Sequence, residues 1–377
     1  MNPFDFHLRT RVVFGAGALA KVGVFSKELN GARVLLVTDS GIVKAGHADR
    51  AVAGLEGAGL AVTLFADVRE NPDTNDVARC VEVARRGNVD LIIGLGGGSS
   101  MDTAKGANFI LTNGGQVRDY WGVGKATKPM LPMIAIPTTS GTGSECQSFA
   151  LISDPETHQK MACGDIKAAA KIAILDPELT VSQPGRVTAC TGVDALAHAL
   201  ETAVTTKRNP LSLLFSRESL RLCLRALPKV LTTPGDIDAR GEMQLGAAYA
   251  GLAIENSMLG CAHSAANPLT AHFKIVHGQA VGLMLPGVIR KNAGDTVVRA
   301  AYLEHAEAAG LASVEELVSA VEGVLVAAKL DAKLSTLGVT EDSISTLAEE
   351  ACKQWTLQFN PRAYSQEDFE ELYREVL

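Results

Sequence analysis

The sequence contains few features of nucleic-acid-binding or membrane proteins. It has no Lys/Arg-rich run, its net charge is −7, and aromatic residues make up only 5% of the chain. Phosphate backbones are bound by clustered basic side chains, and unstacked bases are bound by aromatic ones. Nucleic acid is therefore not an expected partner. No run of about 18 apolar residues occurs, so no membrane-spanning helix is expected either.

The cysteines show no pairing pattern. All seven are scattered along the chain, and none belongs to a CxxC pair. The first residues, MNPFDFHLRTRVVFG, show no basic region followed by an apolar one, so we expect no secretory signal. Both observations predict a cytoplasmic protein with reduced thiols.

The residues that are present predict two domains. The chain has 377 residues, of which 47% are hydrophobic and 20% charged, as in ordinary globular proteins. Short apolar, β-branched runs in the first half suit strands buried on both faces of a parallel sheet; they are 33–37, 61–65, 90–95, 133–137 and 171–175. Phe4, Phe6 and Leu8 alternate with polar residues, which predicts a further edge or hairpin strand. We predict an α/β nucleotide-binding domain with a Rossmann-like parallel sheet over 1–183 and an all-α domain over 184–377.

A glycine-rich turn follows the predicted strand 90–95 and opens a helix. Its sequence is Gly94-Leu95-Gly96-Gly97-Gly98-Ser99-Ser100. Glycines let the backbone approach a pyrophosphate, and the helix N-terminus offers free N–H groups to it. A tight turn alone would need one glycine, so the three in succession favour a phosphate site.

Asp39, at the end of the predicted strand 33–37, is the candidate ribose ligand. The usual dinucleotide fingerprint places its acidic residue ~20 residues after the glycines, whereas Asp39 precedes them. A carboxylate there would bond a ribose diol and repel a 2′-phosphate, which favours NAD(H) over NADP(H). The alternative, an N-cap for a helix over 41–58, fits the same residue type. A second loop, 137–145, is rich in hydroxyl groups and suits phosphate, ribose or nicotinamide.

Two clusters of metal-ligating residues occur in the helical half. Asp194 and His198 are four residues apart in a predicted helix, so they share one face. This pair suits a divalent metal, and a hydrogen-bonded Asp–His pair in the core is the alternative. His263, His272 and His277 fall within fifteen residues. Two separate segments therefore offer ligands for one ion, which makes the helical domain the metal-binding one.

Taken together, the motifs resemble those of the iron-containing (group III) alcohol dehydrogenases, within the dehydroquinate synthase-like superfamily. The resemblance covers nearly the whole chain. The motifs that carry it are Phe14-Gly15-Ala16-Gly17, Val37-Thr38-Asp39, Asn71-Pro72, Gly96-Gly97-Gly98-Ser99-Ser100-x-Asp102-x-Ala104-Lys105, Pro137 to Glu145, Asp176-Pro177, Asp194-Ala195-x-x-His198-x-x-Glu201, Gly260-x-x-His263, His277-Gly278 and Asn360-Pro361-Arg362.

The resemblance implies an NAD(H)-linked enzyme that transfers hydride to or from a small primary alcohol, diol or aldehyde. It implies a metal held by Asp194, His198, His263 and His277; we expect Fe²⁺, and the same ligands are compatible with Zn²⁺. Many members are dimers or larger homo-oligomers, which we expect here too. With the two loops it makes these residues candidate cofactor contacts: Asp39, Asn71, Gly96, Gly97, Gly98, Ser99, Asp102, Thr138, Thr139, Ser140, Thr142, Ser144 and Lys160.

One position departs from the family pattern. Similar members commonly carry a second histidine four residues after the third ligand, where this chain has Asn267. Asparagine does not exchange a proton near neutral pH, whereas histidine does. We expect His272 or water to take that role, so Asn267 and His272 are the candidate catalytic positions.

Three other functions compete with this hypothesis. A dehydroquinate synthase-like lyase would need a basic cluster for its acidic substrate, but residues 255–280 contain only Lys274. A glycerol dehydrogenase-like enzyme belongs to the same superfamily. A non-catalytic nucleotide or metal sensor would fit the change at Asn267, although the retained ligand set argues against it.

Overall fold

The structure is a computed structural model that describes residues 3–156 and 159–377. The chain forms two compact units. The first, called the sheet unit here, comprises Leu8–Thr139 and Gly143–Gln183. The second, called the helical unit, comprises the N-terminal residues through His7, Ser140–Thr142 and Pro184–Leu377. Within the described residues, no helix is long and apolar enough to cross a membrane.

The sheet unit alternates strands and helices along the chain. Its elements are β1 (Arg11–Phe14), α1 (Val22–Glu28), β2 (Arg33–Val37), α2 (Ser40–Lys44), α3 (His47–Gly57), β3 (Ala61–Phe65), α4 (Thr74–Arg86), β4 (Leu91–Gly96), α5 (Gly98–Asn113), β5 (Gly122–Val123), β6 (Met133–Pro137), β7 (Phe149–Ser153), β8 (Lys160–Gly164) and β9 (Ile172–Leu175). Short 3₁₀ helices lie at Ala18–Lys21, Val117–Tyr120, Ser144–Cys146, Ile166–Ala168 and Pro177–Thr180.

Six strands form one parallel sheet in the order β1-β9-β6-β4-β2-β3. A smaller sheet has the order β5-β8-β7, in which β7 and β8 are antiparallel. Because β2, β4 and β6 are neighbours and parallel, their carboxyl ends lie side by side. Ligands of open parallel sheets bind at that edge, and the loops that follow these three strands carry the predicted nucleotide residues.

The pattern of the apolar runs explains the buried strands. Leu35 and Val37 pack into one apolar cluster, whereas Val34 and Leu36 pack into another. Side chains alternate between the two faces of a strand, so β2 has an apolar core on both sides. All six residues of β4 are buried for the same reason. The predicted α/β fold with a parallel sheet is confirmed.

Two local predictions were wrong. Residues 3–9 form no strand; the edge strand is β1, which pairs with β9. Its four residues are exposed or half-buried, so its apolar signal is weak. The helix predicted over 41–58 is divided into α2 and α3. The reason is Gly46, which adopts a left-handed φ of 77° and so ends the first helix.

The helical unit contains nine α-helices among its described residues: α6 (Gly185–Thr202), α7 (Pro210–Thr232), α8 (Ile237–Ser257), α9 (Cys261–Phe273), α10 (His277–Asn292), α11 (Thr296–Ala308), α12 (Val314–Ala327), α13 (Ile344–Cys352) and α14 (Gln366–Glu375). Short 3₁₀ helices lie at Leu334–Leu337, Glu341–Ser343 and Trp355–Phe359. One apolar cluster, built largely of Ala, Leu and Val, fills the unit. The centre of α6 is buried nearly all round, which places its polar residues inside the unit.

Candidate active site

The glycine-rich turn connects β4 to α5. Gly96 has a φ of 147°, which residues with a side chain rarely adopt, and a Cβ there would lie 2.4 Å from Ser100 Oγ. Gly97 is the N-cap of α5 and supplies no side-chain acceptor to the first N–H groups. The turn therefore presents backbone donors and the positive end of a sixteen-residue helix, an arrangement suited to a pyrophosphate.

Asp39 serves as a helix cap and also reaches the glycine turn. Its Oδ1 accepts hydrogen bonds from the N–H groups of Gly41 (2.8 Å) and Ile42 (3.1 Å), which caps α2. Its Oδ2 lies 3.3 Å from the position that a Cβ on Gly96 would occupy. One oxygen thus holds the local structure, while the other lies beside the candidate pyrophosphate site. The cap and the ribose ligand are compatible roles of one carboxylate.

Other predicted cofactor residues meet at the same turn. The N–H of Asn71 donates to Ser99 Oγ at 3.3 Å, and Asn71 itself has a left-handed φ of 53°. Thr139 lies so close to Gly97 that a Cβ on this glycine would be 3.3 Å from Thr139 Cγ2. Thr138 follows β6 directly and is buried. The loops that follow β3 and β6 therefore supply residues that line the turn.

Asp102 and Ser144 bond to each other. Ser144 Oγ donates to Asp102 Oδ1 at 2.9 Å. Lys105 is fully buried beside them, and its Nζ donates to the carbonyl oxygens of Ser144 (2.6 Å) and Phe149 (3.0 Å). Burial raises the pKa of Asp102, against the lowering effect of Lys105, Ser144 and Lys160. This network of Asp102, Lys105 and Ser144 ties α5 to the second loop.

The second loop belongs to both units. Thr138 and Thr139 group with the sheet unit, whereas Ser140 and Thr142 group with the helical unit. Ser140 is buried, and its hydroxyl oxygen has no hydrogen-bond partner among the described residues. Five consecutive residues of one loop thus supply groups to the two units.

The four predicted metal ligands converge inside the helical unit. Asp194 and His198 lie on one face of α6, His263 lies in the first turn of α9, and His277 is the first residue of α10. Three imidazole Nε2 atoms surround Asp194 Oδ1, at 3.5 Å from His198, 3.4 Å from His263 and 4.0 Å from His277. Asp194, His263 and His277 already form a ligand group compact enough for one ion.

Hydrogen bonds behind two of the ligands set which ring nitrogen faces the cluster. His198 Nδ1 donates to the carbonyl oxygen of Gly141 at 3.2 Å, and His263 Nδ1 donates to Glu201 Oε2 at 2.5 Å. The two Nε2 atoms then face each other at 3.1 Å. Such partners fix the tautomer and the ring orientation of metal-ligating histidines.

The electrostatics of the cluster fit a divalent cation. Asp194 Oδ1 is buried and accepts no hydrogen bond among the described residues. Burial opposes its ionisation, but His198, His263 and His277 hold the pKa of Asp194 well below its usual range. Burial lowers the pKa of His198, against the raising effect of Asp194. Burial also acts against a charge on His263, but Glu201 and Asp194 outweigh it and raise the pKa of His263 to about 9. A cation held there would supply the positive charge that the imidazoles otherwise offer to Asp194.

Of the two candidate relay residues, His272 is turned away from the metal ligands, whereas Asn267 is on the same face of α9 as His263. His272 lies nine residues after His263 in a helix that continues through Pro268, so it is on the opposite face of α9. Its Nε2 contacts Glu350 at 2.9 Å, and its side chain is 45% exposed. Asn267 lies one turn from His263, and its amide donates to Gln354 Oε1 at 2.9 Å.

Sequence reasoning assigned no role to three groups that support these sites. They are Lys105, Glu201 and the carbonyl oxygen of Gly141. Spacing held a signal for one of them: Asp194, His198 and Glu201 are at i, i+4 and i+7, which places all three on one face of a helix.

A parallel sheet with a turn suited to a pyrophosphate, together with a largely buried Asp/His₃ cluster, is typical of a metal-dependent, nucleotide-using oxidoreductase. Comparison with known proteins agrees. Residues 9–177 match the family model "iron-containing alcohol dehydrogenase", and residues 188–377 match that of the C-terminal part of the Fe-containing alcohol dehydrogenase family.

Individual relatives cover the whole chain. It is 33% identical over 379 residues to an NAD-dependent methanol dehydrogenase of Bacillus methanolicus, which covers 99% of this chain and 100% of the relative. It is 30% identical to a 1,3-propanediol dehydrogenase of Klebsiella pneumoniae, over 99% of this chain and 98% of the relative. A solved 1,3-propanediol oxidoreductase has a TM-score of 0.96 at 30% identity and full coverage of both chains. A sulfoacetaldehyde reductase from Bifidobacterium kashiwanohense, solved with NAD⁺, has a TM-score of 0.92 at 29% identity, covering 100% of this chain and 99% of that one.

The chain belongs to the iron-containing alcohol dehydrogenase family. The predicted family and the predicted class of enzyme are thereby confirmed. The match favours an alcohol dehydrogenase over a dehydroquinate synthase-like lyase, in agreement with the shortage of basic residues over 255–280.

Proposed function

We propose that the protein is an NAD(H)-linked, iron-dependent alcohol dehydrogenase and aldehyde reductase that acts on a small primary alcohol, diol or aldehyde. The observation that carries this proposal is the convergence of the buried Asp194, His198 and His263 with the half-buried His277 in one unit of a chain. The other unit of that chain has a turn suited to a pyrophosphate.

The metal is proposed to be held by those four side chains. One carboxylate and three imidazoles form a donor set for Fe²⁺ and are compatible with Zn²⁺; the family's name supports iron. A divalent cation held there supplies Lewis acidity, which eases deprotonation of an alcohol and polarises an aldehyde carbonyl. The chain's own residues hold the ligand atoms in place, since Gly141 and Glu201 orient two of the rings.

The cofactor is proposed to bind at the sheet edge. Gly97, Gly98 and Ser99 would contact the pyrophosphate at the start of α5. Oδ2 of Asp39, the oxygen that does not cap α2, would bond the ribose diol. A negative charge at that position disfavours a 2′-phosphate, which supports NAD(H). The name of the relative from Bacillus methanolicus also supports NAD. Thr138 and Thr139 are proposed as further contacts at the same edge.

Proton release is proposed to use water. Asn267 does not exchange protons near neutral pH. His272 faces away from His263 and is engaged with Glu350. Water therefore replaces the histidine that other members carry at this position.

The substrate class is proposed from the relatives. The relatives named for methanol and 1,3-propanediol act, by their names, on small primary alcohols and diols. We therefore propose the same class of substrate for this chain.

We propose a cytoplasmic location because the described residues form no disulfide bond. We propose a homo-oligomer of at least two chains, and light scattering on the purified protein would measure its size.

The experiment that tests the function is a substrate panel on metal-reconstituted protein. Straight-chain alcohols and diols are offered with NAD⁺, and the matching aldehydes with NADH, to protein loaded with Fe²⁺ or Zn²⁺. The matched control is the same protein after chelation. We expect turnover that requires the metal and is faster with NAD(H) than with NADP(H). Binding of NADH and metal with no turnover of any compound would favour the sensor.

A further inference from the structure

Helix α9 begins inside the protein without a cap of its own. Its N-cap residue is Gly260, which has no side chain to accept a hydrogen bond. The next four residues, 261–264, are all buried. The first N–H groups of a helix have no partner within that helix, so their partners must come from elsewhere in the chain.

Two distant side chains provide that cap. Glu201 Oε1 accepts from the N–H groups of Ala262 at 2.6 Å and His263 at 3.3 Å. Asn360 Oδ1 accepts from the N–H of Cys261 at 3.3 Å. The two capping residues come from α6 and from the segment before α14, 61 and 99 residues away from the N–H groups that they bond.

Gly260 makes room for both side chains. A Cβ at this position would lie 2.9 Å from Asn360 Oδ1 and 3.4 Å from Glu201 Oε1. The contact with Asn360 is tighter than normal packing allows. With glycine at the N-cap, the side chains of Glu201 and Asn360 can reach the N–H groups and cap the helix through tertiary contacts.

The same carboxylate also holds a metal ligand. Glu201 Oε2 accepts from His263 Nδ1 at 2.5 Å, so the Nε2 of that ring points into the ligand cluster. Glu201 lies on the face of α6 that carries Asp194 and His198. One face of one helix therefore supplies two ligands and orients a third.

We propose that Glu201 is a positioning residue of the metal centre, which fixes the tautomer of His263 and, together with Asn360, caps the helix that carries it. Asn360 is held for this task by paired amides: its Nδ2 donates to Asn292 Oδ1 at 3.0 Å, and Asn292 Nδ2 donates to Asn360 Oδ1 at 3.2 Å. The proposal rests on the proposed function, because it requires that the Asp/His₃ cluster binds a metal.

Glu201→Gln separates the two tasks of the carboxylate. The oxygen of glutamine can still accept from the N–H groups of α9, but its NH₂ group only donates. Facing Nδ1 of His263, the NH₂ group requires a lone pair there, and the ring proton moves to Nε2. The cap is kept, while the lone pair that should face the metal is lost.

The test measures Zn²⁺ affinity by competition with a chromophoric chelator, and the thermal midpoint of the metal-free protein. We expect Glu201→Gln to weaken Zn²⁺ binding about 10–100-fold, the usual effect of losing such a partner, with a midpoint close to that of the wild type. Imidazole ¹⁵N–¹H spectra are recorded after Zn²⁺ is added to each protein. In the Zn²⁺-bound wild type, the proton of His263 should be on Nδ1. In the part of Glu201→Gln that remains metal-free, it should be on Nε2.

The matched control is Asp295→Asn, another acid-to-amide change at a helix N-terminus of the same unit. Asp295 caps α11 by accepting from Val297 and Val298 at 2.8 and 3.0 Å. It should leave Zn²⁺ affinity unchanged. Glu201→Asp is the second variant: it keeps the charge, but its shorter side chain cannot span both partners, so Zn²⁺ affinity should again fall.

Zn²⁺ affinity equal to that of the wild type in either Glu201 variant would overturn the positioning role. A wild-type protein that binds no Zn²⁺ would instead overturn the proposed metal centre itself, and with it this assignment. The two failures are distinguishable because the first appears only in the variants.

Discussion

Two buried carboxyl groups, one in each unit, have pKa values shifted in opposite directions although burial acts on both in the same way. In the helical unit, burial opposes ionisation of Asp194, but the surrounding imidazoles hold its pKa well below the usual range. In the sheet unit, burial raises the pKa of Glu145 to about 7, and Lys105 offsets this only in part. A buried carboxylate that stays charged requires a compensating cation, whereas a protonated one does not. The contrast indicates which unit is prepared for a metal.

The two sites also differ in how the chain builds them. The nucleotide turn uses consecutive residues and backbone groups at the edge of a sheet, with the glycines from Gly96 to Gly98 as its main part. The metal cluster uses side chains from two separate segments, helix α6 and the consecutive helices α9 and α10. Loss of one side chain should therefore weaken cofactor binding only in part at the nucleotide turn, whereas loss of one ligand should remove most metal binding at the cluster.

The largest expected effect comes from removing a metal ligand. His263→Ala or His277→Ala should lose most of the bound metal, and activity should fall by about 10³-fold or more, since Lewis-acid stabilisation is worth several kcal/mol. NADH binding should be retained, because the glycine turn lies in the other unit. Metal analysis and NADH fluorescence titration check both parts. Full metal occupancy in either variant would show that the ligand assignment is wrong.

A smaller effect is expected at the relay position. Asn267→His places an ionisable ring one turn from His263 in α9. General acid–base help is worth about 10²–10⁴-fold when fully developed; we expect at least about a tenfold gain in alcohol oxidation near neutral pH. The measurement is kcat against pH with saturating alcohol.

His272→Ala is the control for this variant, because its ring is on the far side of α9 and contacts Glu350. It should leave the rate and the metal content unchanged. An unchanged rate in metal-loaded Asn267→His would argue that proton release does not limit oxidation.

Local pattern was sufficient to predict much of this molecule. The strands at 33–37 and 91–96 are buried on both faces, so their apolar runs are continuous and easily recognised. Asp194 and His198 are set by helical spacing alone. Ser365 and Asp368 form a capping box at the start of α14, and such a cap depends only on residues close in sequence.

Contacts between distant segments could not be predicted in this way. Glu201 accepts hydrogen bonds from N–H groups about 60 residues further along the chain, and no periodicity of the sequence predicts such a contact. α9 continues through Pro268 and carries His272 away from the ligands, and the spacing of the histidines does not reveal this. β1 is short and partly exposed, so only its pairing with β9 identifies it as a strand.

Asp39 has two tasks in one side chain: it caps α2, and it is the proposed ligand of the ribose. Asp39→Gly should relax the preference for NAD(H) over NADP(H) by roughly tenfold, because the charge that repels a 2′-phosphate is removed. Asp39→Asn keeps the cap of α2 and removes only the charge. Both variants should gain NADP(H) activity in kcat/KM ratios. If the wild-type chain used both cofactors equally well, the role given to Asp39 would be wrong.

The smallest expected effect concerns Glu145 and appears in stability. An acid whose pKa is raised in the folded state destabilises that state as pH rises from its ordinary value of 4.5 to about 7, and the cost is complete above that. Glu145→Gln removes the cost, so the variant should exceed the wild type in stability above pH 7 by roughly 1–3 kcal/mol, with the difference vanishing near pH 4.5. Urea unfolding of NAD-free, metal-loaded protein between pH 5 and 8 measures it. Glu178→Gln, an exposed acid of the same unit paired with Arg50, should show no such trend. A constant difference between Glu145→Gln and the wild type over that range would mean that Glu145 is charged throughout, and the contrast with Asp194 would disappear.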